Sequence, residues 1–270
     1  MKTRIIAGAV FVVVLALTFF IAPTWVTAVT MGFMTALASY ELLFTTGLVK
    51  SIRLNVYSAV MAVLVVLWSY LGCGYAPMIL GVLLYLMILF SELLLSSGKT
   101  PISQVGYCLL SGLLVPLLLT ALLRIRVWEN GKLLLLVPFI MAYCSDTGAY
   151  FVGVTMGKHK MCPNISPKKS WEGFVGGVVI AVLGMMAFCL ILDKAGGYAV
   201  NYGLAALYGL IGSLGSVFGD LSMSVIKRQT GIKDYGKLIP GHGGILDRFD
   251  SVMITAPLTE ALLLIIPFVV

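Results

Sequence analysis

Residues 227–250 read KRQTGIKDYGKLIPGHGGILDRFD, with nine Asp, Lys, Arg or His side chains and five glycines in 24 positions. Asp247 and Asp250 are three apart, so a helical turn puts them on one face. With Asp220 just upstream they offer an oxygen-only cluster, the donor type that suits Mg²⁺, a cation that keeps waters and bridges to phosphate oxygens. Lys227, Arg228, Lys233, Lys237 and Arg248 bring the opposite sign and are natural partners of phosphate. Gly243 and Gly244, in the PGHGG run, let backbone amides approach an anion closely. Metal, cations and a Gly-rich turn point to phosphoryl or nucleotidyl transfer. Without Asp220, the same residues would read as ordinary surface ion pairs.

A second group, GKHKMCPNISPKKSWEG at 157–173, sets Lys158, His159, Lys160, Lys168 and Lys169 beside Ser166 and Ser170. Charge and hydroxyl donors of this kind can hold a polyphosphate. The same lysines also suit a loop that merely signals topology, and Ser170 with Glu172 suits the N-terminus of a helix. Carboxylates inside apolar runs discriminate better, because a charged Asp at the centre of a membrane helix costs about 2.5–3.5 kcal/mol on insertion scales. Gly209, Gly212, Ser213, Ser216 and Asp220 form one helical face of small and polar residues, which predicts that Asp220 faces a close-packed helix and not lipid. Ala142, Asp146, Ala149 and Gly153 make a comparable face. Glu41, Glu92 and Glu260 lack such surroundings and are assigned to helix packing or water-facing positions.

These residues belong to an oily chain. Of 270 residues, 60% are hydrophobic and 11% charged, and the mean hydropathy is +1.05, far from a soluble domain. The expected fold is an all-α polytopic membrane protein with nine transmembrane helices near 5–22, 25–45, 57–71, 76–95, 104–123, 133–151, 174–192, 202–225 and 252–270. Period-2 alternation, the mark of a barrel, is absent. The first apolar run is read as a span and not a cleaved signal, since another hydrophobic span follows at once. Placing the N-terminus in the cytoplasm puts Lys2, Arg4, Lys50, Arg53, Lys99, Lys158, Lys160, Lys168, Lys169, Lys227, Arg228, Lys233, Lys237 and Arg248 inside. Only Arg124, Arg126, Lys132 and Lys194 are left outside.

Two regions follow: 1–126, with plain loops, as scaffold or oligomer contacts, and 127–270, with polar loops at 153–173 and 226–251, as the catalytic part. The net charge of +7 lies on one membrane face, where it meets anionic lipid. Nucleic acid is excluded as a partner for want of a soluble basic domain or an aromatic platform. Five scattered cysteines without C-x-x-C or Cys/His spacing imply packing, neither disulfides nor zinc. No Walker loop, H-E-x-x-H or G-x-S-x-G occurs, which disfavours an ordinary ATPase, zinc protease or serine hydrolase.

Ser224, Lys227, Arg228, Lys233, Asp234, Gly236, Ile239, Pro240 and the run His242 to Asp250 resemble the signature of the phosphatidate cytidylyltransferases, also called CDP-diacylglycerol synthases, over 27 residues with spacing kept. Asp146 to Gly153 and Ser166 to Gly173 resemble the family too, in the right order; relatives often carry Thr at the position of Ser170. The first 130 residues resemble it only as a hydrophobic multi-span region. The resemblance implies that CTP and phosphatidate give CDP-diacylglycerol and pyrophosphate, with Mg²⁺, on the cytoplasmic side of the inner (plasma) membrane, in an enzyme that could be a homodimer. It also sorts the residues. Asp220 and Asp247 come first as metal ligands, with Asp146 and Asp250 next, for a second cation or to orient the first. Lys168, Lys169, Lys227 and Arg228 are assigned to CTP or lipid phosphate, together with Ser166, Ser170, Lys233, Gly243, Gly244 and Arg248. His242 is a hydrogen-bond donor or turn former, because a phosphate monoester, second pKa about 6, needs no general base. Another metal-dependent membrane transferase acting on a lipid phosphate would explain metal and cations without the full signature. A transporter would explain the intramembrane acids without the basic Gly-rich loops.

Overall fold

The computed structural model describes residues 2–97, 99–238, 241 and 243–269, with side chains from residue 6 onward. Among the described residues, seven helical stretches are long and apolar enough to cross a bilayer: Thr24–Thr45, Ile52–Leu71, Tyr75–Leu95, Ser103–Arg126, Gly131–Met156, Trp171–Gly196 and Tyr202–Gln229. Ile6–Ile21 and Val252–Ile265 are apolar but shorter. The chain is therefore a largely helical, multi-pass membrane protein. It divides into two compact units, Met1–Glu129 with Gln229–Arg248, and Asn130–Arg228 with Phe249–Val270.

In the first unit, α1 (Lys2–Ala16) widens into a π-helical turn at Leu17–Ile21, and α2 (Thr24–Tyr40) does the same at Glu41–Thr45. Then come α3 (Ile52–Leu71) and α4 (Tyr75–Leu95). The next stretch is broken into α5 (Ser103–Leu109), a π-helical turn at Leu110–Leu114, α6 (Val115–Leu119) and α7 (Ala121–Arg126). The third span begins at Ile52 and not at Tyr57, because Arg53 and Asn55 are taken into its first turns; Asn55 Nδ2 donates to Ser51 O at 2.8 Å. Leu54, Met61 and Val65 of α3 pack with Tyr85, Leu89, Val105 and Cys108 in a common core. The Tyr85 hydroxyl, buried there, reaches Ser58 Oγ at 2.8 Å and donates to Cys108 O at 2.9 Å, as a buried polar group must. Arg126 is likewise buried, with Nε donating to Phe19 O at 2.6 Å.

The second unit holds α8 (Gly131–Leu134), α9 (Leu136–Met156), the strands β1 (Lys160–Cys162) and β2 (Ser166–Ser170), α10 (Trp171–Gly196) and α11 (Tyr202–Gln229). Residues 246–248 of the four-residue α12 (Leu246–Phe249) belong to the first unit, and α13 (Val252–Ile265) completes the second. The two strands pair antiparallel, Lys160 opposite Ser170 and Cys162 opposite Ser166, with a bulge; this small sheet departs from the all-α expectation. Glycines bring α9 and α10 backbone to backbone. A Cβ at Gly177 would lie 2.8 Å from Ser145 O, and one at Gly148 would lie 2.8 Å from Gly176 O. Gly209 and Gly212 of α11 press on Val182 and Met141, and Gly215 and Gly219 on α13. Small residues thus set the helix spacing, as they do where lipid gives no hydrophobic drive to pack. The last helix stops at Ile265, short of the expected 270, because Pro267 disfavours helix at the residue before it. The chain continues extended, with Val269 bridged to Val200 and Asn201 N donating to Phe268 O at 2.7 Å.

Candidate active site

A cavity of about 260 Å³ in the second unit is lined by Asp146, Ala149 and Tyr150 of α9, Met161, Ser166, Lys168, Lys169 and Ser170 of the hairpin, Gly173 and Phe174 of α10, and Val217 and Asp220 of α11. Six of the residues singled out by type and spacing, Asp146, Ser166, Lys168, Lys169, Ser170 and Asp220, therefore share one pocket.

Each is placed by a local device. Ser170 ends β2 in extended conformation and caps α10, its Oγ accepting from Gly173 N at 3.2 Å. Glu172 accepts from the backbone amides of Lys158 (3.1 Å) and His159 and meets His159 Nδ1 at 2.6 Å. These bonds clamp the start of the hairpin to α10. The alternation of β2 then turns Lys169 inward while Lys168 stays exposed. Lys169 Nζ sits 2.6 Å from Asp220 Oδ2, in ion-pair contact. That nitrogen is shut off from solvent and has no well-aligned acceptor, so its donors suit an added anion.

Asp146 and Asp220 are held by hydroxyls. Ser216 Oγ donates to Asp146 Oδ1 at 3.4 Å, Ser251 Oγ to Asp146 Oδ2 at 3.2 Å, and Ser224 Oγ to Asp220 Oδ1 at 3.3 Å. Ser213 of the same α11 face meets Ser145 at 2.8 Å, so the face that carries Asp220 does turn to a packed neighbour. Asp250 joins this group electrostatically. Loss of water around it, first, and then the Asp220 charge push its carboxyl up to about 7, with Asp146 adding to the rise; the Ser251 amide and the Lys227 charge hold it back. Arg228 Nε donates to Ile165 O at 3.0 Å, tying the end of α11 to the hairpin turn.

Asp247, Lys233, Gly243, Gly244 and Arg248 belong to the first unit. Asp247 is buried, and its Oδ2 accepts from Tyr235 N at 2.7 Å and Gly244 N at 3.0 Å. Lys233 and Arg248 are exposed. His242 lies outside the described residues. Sequence reading missed the apolar lining, Tyr150, Met161, Phe174 and Val217, which carries no signal apart from its spacing from the acids. It also missed Ser251 and, above all, Glu41, whose two oxygens accept from Ile245 N and Leu246 N at 3.0 Å each. The expectation of helix packing or a water-facing position for Glu41 is thereby corrected; no local polar pattern marks it, because its partners lie some two hundred positions away.

Asp146, Asp220 and Asp250 present hard oxygen donors, the right kind for Mg²⁺. Among the described residues no three Asp, Glu, His or Cys side chains form a ready cage.

The sequence model of the family described as "Cytidylyltransferase family" matches residues 2–266. A protein of Staphylococcus haemolyticus named phosphatidate cytidylyltransferase is 33% identical over 235 residues, 86% of this chain and 88% of that one. Proteins of the same name from Staphylococcus saprophyticus (38% over 177 residues, 66% of each chain) and Staphylococcus epidermidis (36% over 184 residues, 68% of each chain) are similar as well. With the family pattern matched along nearly the whole chain and a relative above 30% identity aligned over most of its length, the chain belongs to the phosphatidate cytidylyltransferase family.

Proposed function

We propose that the chain is a membrane nucleotidyltransferase that converts CTP and phosphatidate to CDP-diacylglycerol and pyrophosphate in phospholipid synthesis. The observation that carries this beyond family membership is the pocket itself. Lysines and carboxylates share one cavity with Tyr150, Phe174 and Val217 at the ends of membrane helices, a combination suited to a polyanion on one side and a lipid on the other.

In the reaction a phosphatidate oxygen bonds to the α-phosphorus of CTP while the bond from that phosphorus to the β-phosphate bridging oxygen breaks, releasing pyrophosphate. Lys169, beside Asp220, and Lys168 neutralise phosphate charge, and Ser166 adds a hydroxyl donor. Lys227 and Arg228 extend the positive field from the last turn of α11, and Lys233 and Arg248 of the first unit are proposed as further phosphate partners. The attacking phosphate monoester is already largely ionised near neutrality, second pKa about 6, so no side chain has to remove a proton. Asp220 with Asp146 or Asp250 would hold Mg²⁺; Asp247, which belongs to the first unit, is kept as a candidate metal ligand, and a second cation as a candidate cofactor. The ion, when bound, supplies positive charge at the phosphate oxygens. The reading extends to nine spans, a cytoplasmic N-terminus and active site, the inner (plasma) membrane, a homodimeric assembly, and no nucleic-acid partner. The excess of lysine and arginine on one set of loops supports the orientation.

Purified protein given CTP, Mg²⁺ and phosphatidate should release pyrophosphate and form CDP-diacylglycerol in equal amounts. Substrate transport without pyrophosphate release, or equal activity on a polyprenyl phosphate, would defeat the proposal.

A further inference from the structure

Glu41 is 4% exposed, at the start of the π-helical turn that ends α2. Each of its carboxylate oxygens takes one backbone N–H, Oε1 from Ile245 and Oε2 from Leu246, both at 3.0 Å. Two glycines of the signature stretch admit it, since a Cβ on either Gly236 or Gly244 would overlap the carboxylate. One turn on, the Thr45 hydroxyl donates to the carbonyl of Tyr235. Tyr235 N and Gly244 N in turn both donate to Asp247 Oδ2. Four backbone amides of this Gly-rich stretch, those of Tyr235, Gly244, Ile245 and Leu246, therefore go to two internal carboxylates, one from the loop and one from α2.

A buried acid is a poor means of gaining stability. Replacing such a charge with a well-packed neutral group is often neutral or favourable, and inside a membrane helix an ionisable residue marks function by default. We infer that Glu41 is a positioning residue for cytidylyl transfer, holding Tyr235 and residues 244–247 in the one arrangement in which Asp247 serves the reaction. The inference rests on the proposed function for its catalytic half; the contact with the loop stands on its own.

The test uses the full-length protein in detergent with Glu41→Gln and Glu41→Ala, Gln being the variant that keeps size and one acceptor. Both are assayed for kcat and for KM toward CTP and phosphatidate, with thermal midpoint and amide hydrogen exchange of the 243–248 peptide alongside. Misplacement of a catalytic group by a remote change costs on the order of tenfold to a hundredfold. We expect kcat to fall by at least about tenfold in Glu41→Gln, with each KM within about twofold, a nearly unchanged midpoint and faster exchange at Gly244, Ile245 and Leu246. Glu41→Ala should fall further, and where it does not fold, Glu41→Gln decides. Wild-type kcat in Glu41→Gln, or a loss of kcat with exchange unchanged, overturns the inference. A wild-type protein that makes no CDP-diacylglycerol defeats the proposed function instead, while the exchange measurement still decides whether Glu41 holds the loop.

Discussion

Asp220→Asn removes the charge opposite the Lys169 ammonium while leaving the size of the side chain unchanged. The pair meets at 2.6 Å, with the two side chains 20% and 26% exposed. It falls between a solvent-exposed ion pair, worth about 0–1 kcal/mol, and a fully buried one, in which deleting one partner costs about 3–5 kcal/mol. We expect Asp220→Asn and Lys169→Met each to destabilise by about 1–2 kcal/mol and the double variant to be no worse than either single, a coupling of about 1–2 kcal/mol. Thermal unfolding of the four proteins in detergent, followed by tryptophan fluorescence, measures that coupling. The catalytic loss should be larger, because the same carboxylate is a proposed cation ligand. Turnover should drop at least about a hundredfold, or about 2.7 kcal/mol at roughly 1.36 kcal/mol per tenfold. Lys169→Met should chiefly raise the KM for a phosphate-bearing substrate. Additive stabilities in the double variant would refute the ion pair. Near-normal turnover with an unchanged Mg²⁺ response in Asp220→Asn would refute the cation site.

Asp247→Asn can still present one oxygen to the Tyr235 and Gly244 amides, so it should fold and yet lose at least about tenfold in kcat; an active Asp247→Asn enzyme would confine Asp247 to holding the loop. Ser170→Ala deletes the cap of α10 and should cost about 0.5–2 kcal/mol in thermal unfolding, and no loss would mean that the hairpin alone fixes the helix start. Asp250 holds its proton more tightly folded than unfolded, because its carboxyl is raised to about 7 from an ordinary value of about 3.9. Metal-free protein should therefore lose stability as pH rises from about 4 to about 7 and change little from this group above that. Asp250→Asn removes the effect, so in chelator its midpoint should exceed wild type at pH 8, with the difference shrinking toward pH 5. A difference independent of pH would refute the assignment.

Much of this was legible because it is local. The small-residue face of α11 announced a packed neighbour, and Ser213 and Ser216 meet Ser145 and Asp146 of α9 there as that periodicity requires; Asp220 itself pairs with Lys169 of the hairpin. Ser170 showed its work at the start of α10 by position alone, since capping is decided within four residues; the reach of Glu172 back to Lys158 and His159 did not show. What could not be read was set by chain folding back on itself. Nothing near Lys160 or Ser166 distinguishes a paired hairpin from a basic loop, because a five-residue strand has too few positions to display a period. The end of α13 depended on Pro267, a cue outweighed by the surrounding Leu and Ile. Glu41 was illegible for a different reason, as a single acid in an apolar run has the same local context whether it packs, faces water or reaches a distant amide.

That distance gives Glu41 a history during synthesis. The amides it accepts from lie 204 and 205 positions further along the chain. At about 5–20 residues per second, they emerge roughly ten to forty seconds after Glu41 has left the ribosome. Through that interval the carboxylate has to be kept wet or protonated, and the first membrane helices cannot settle around it as they do in the finished protein. Release from this waiting state comes only once residues 245 and 246 have been made, so closure of the first unit around Glu41 waits on a segment some two hundred positions downstream.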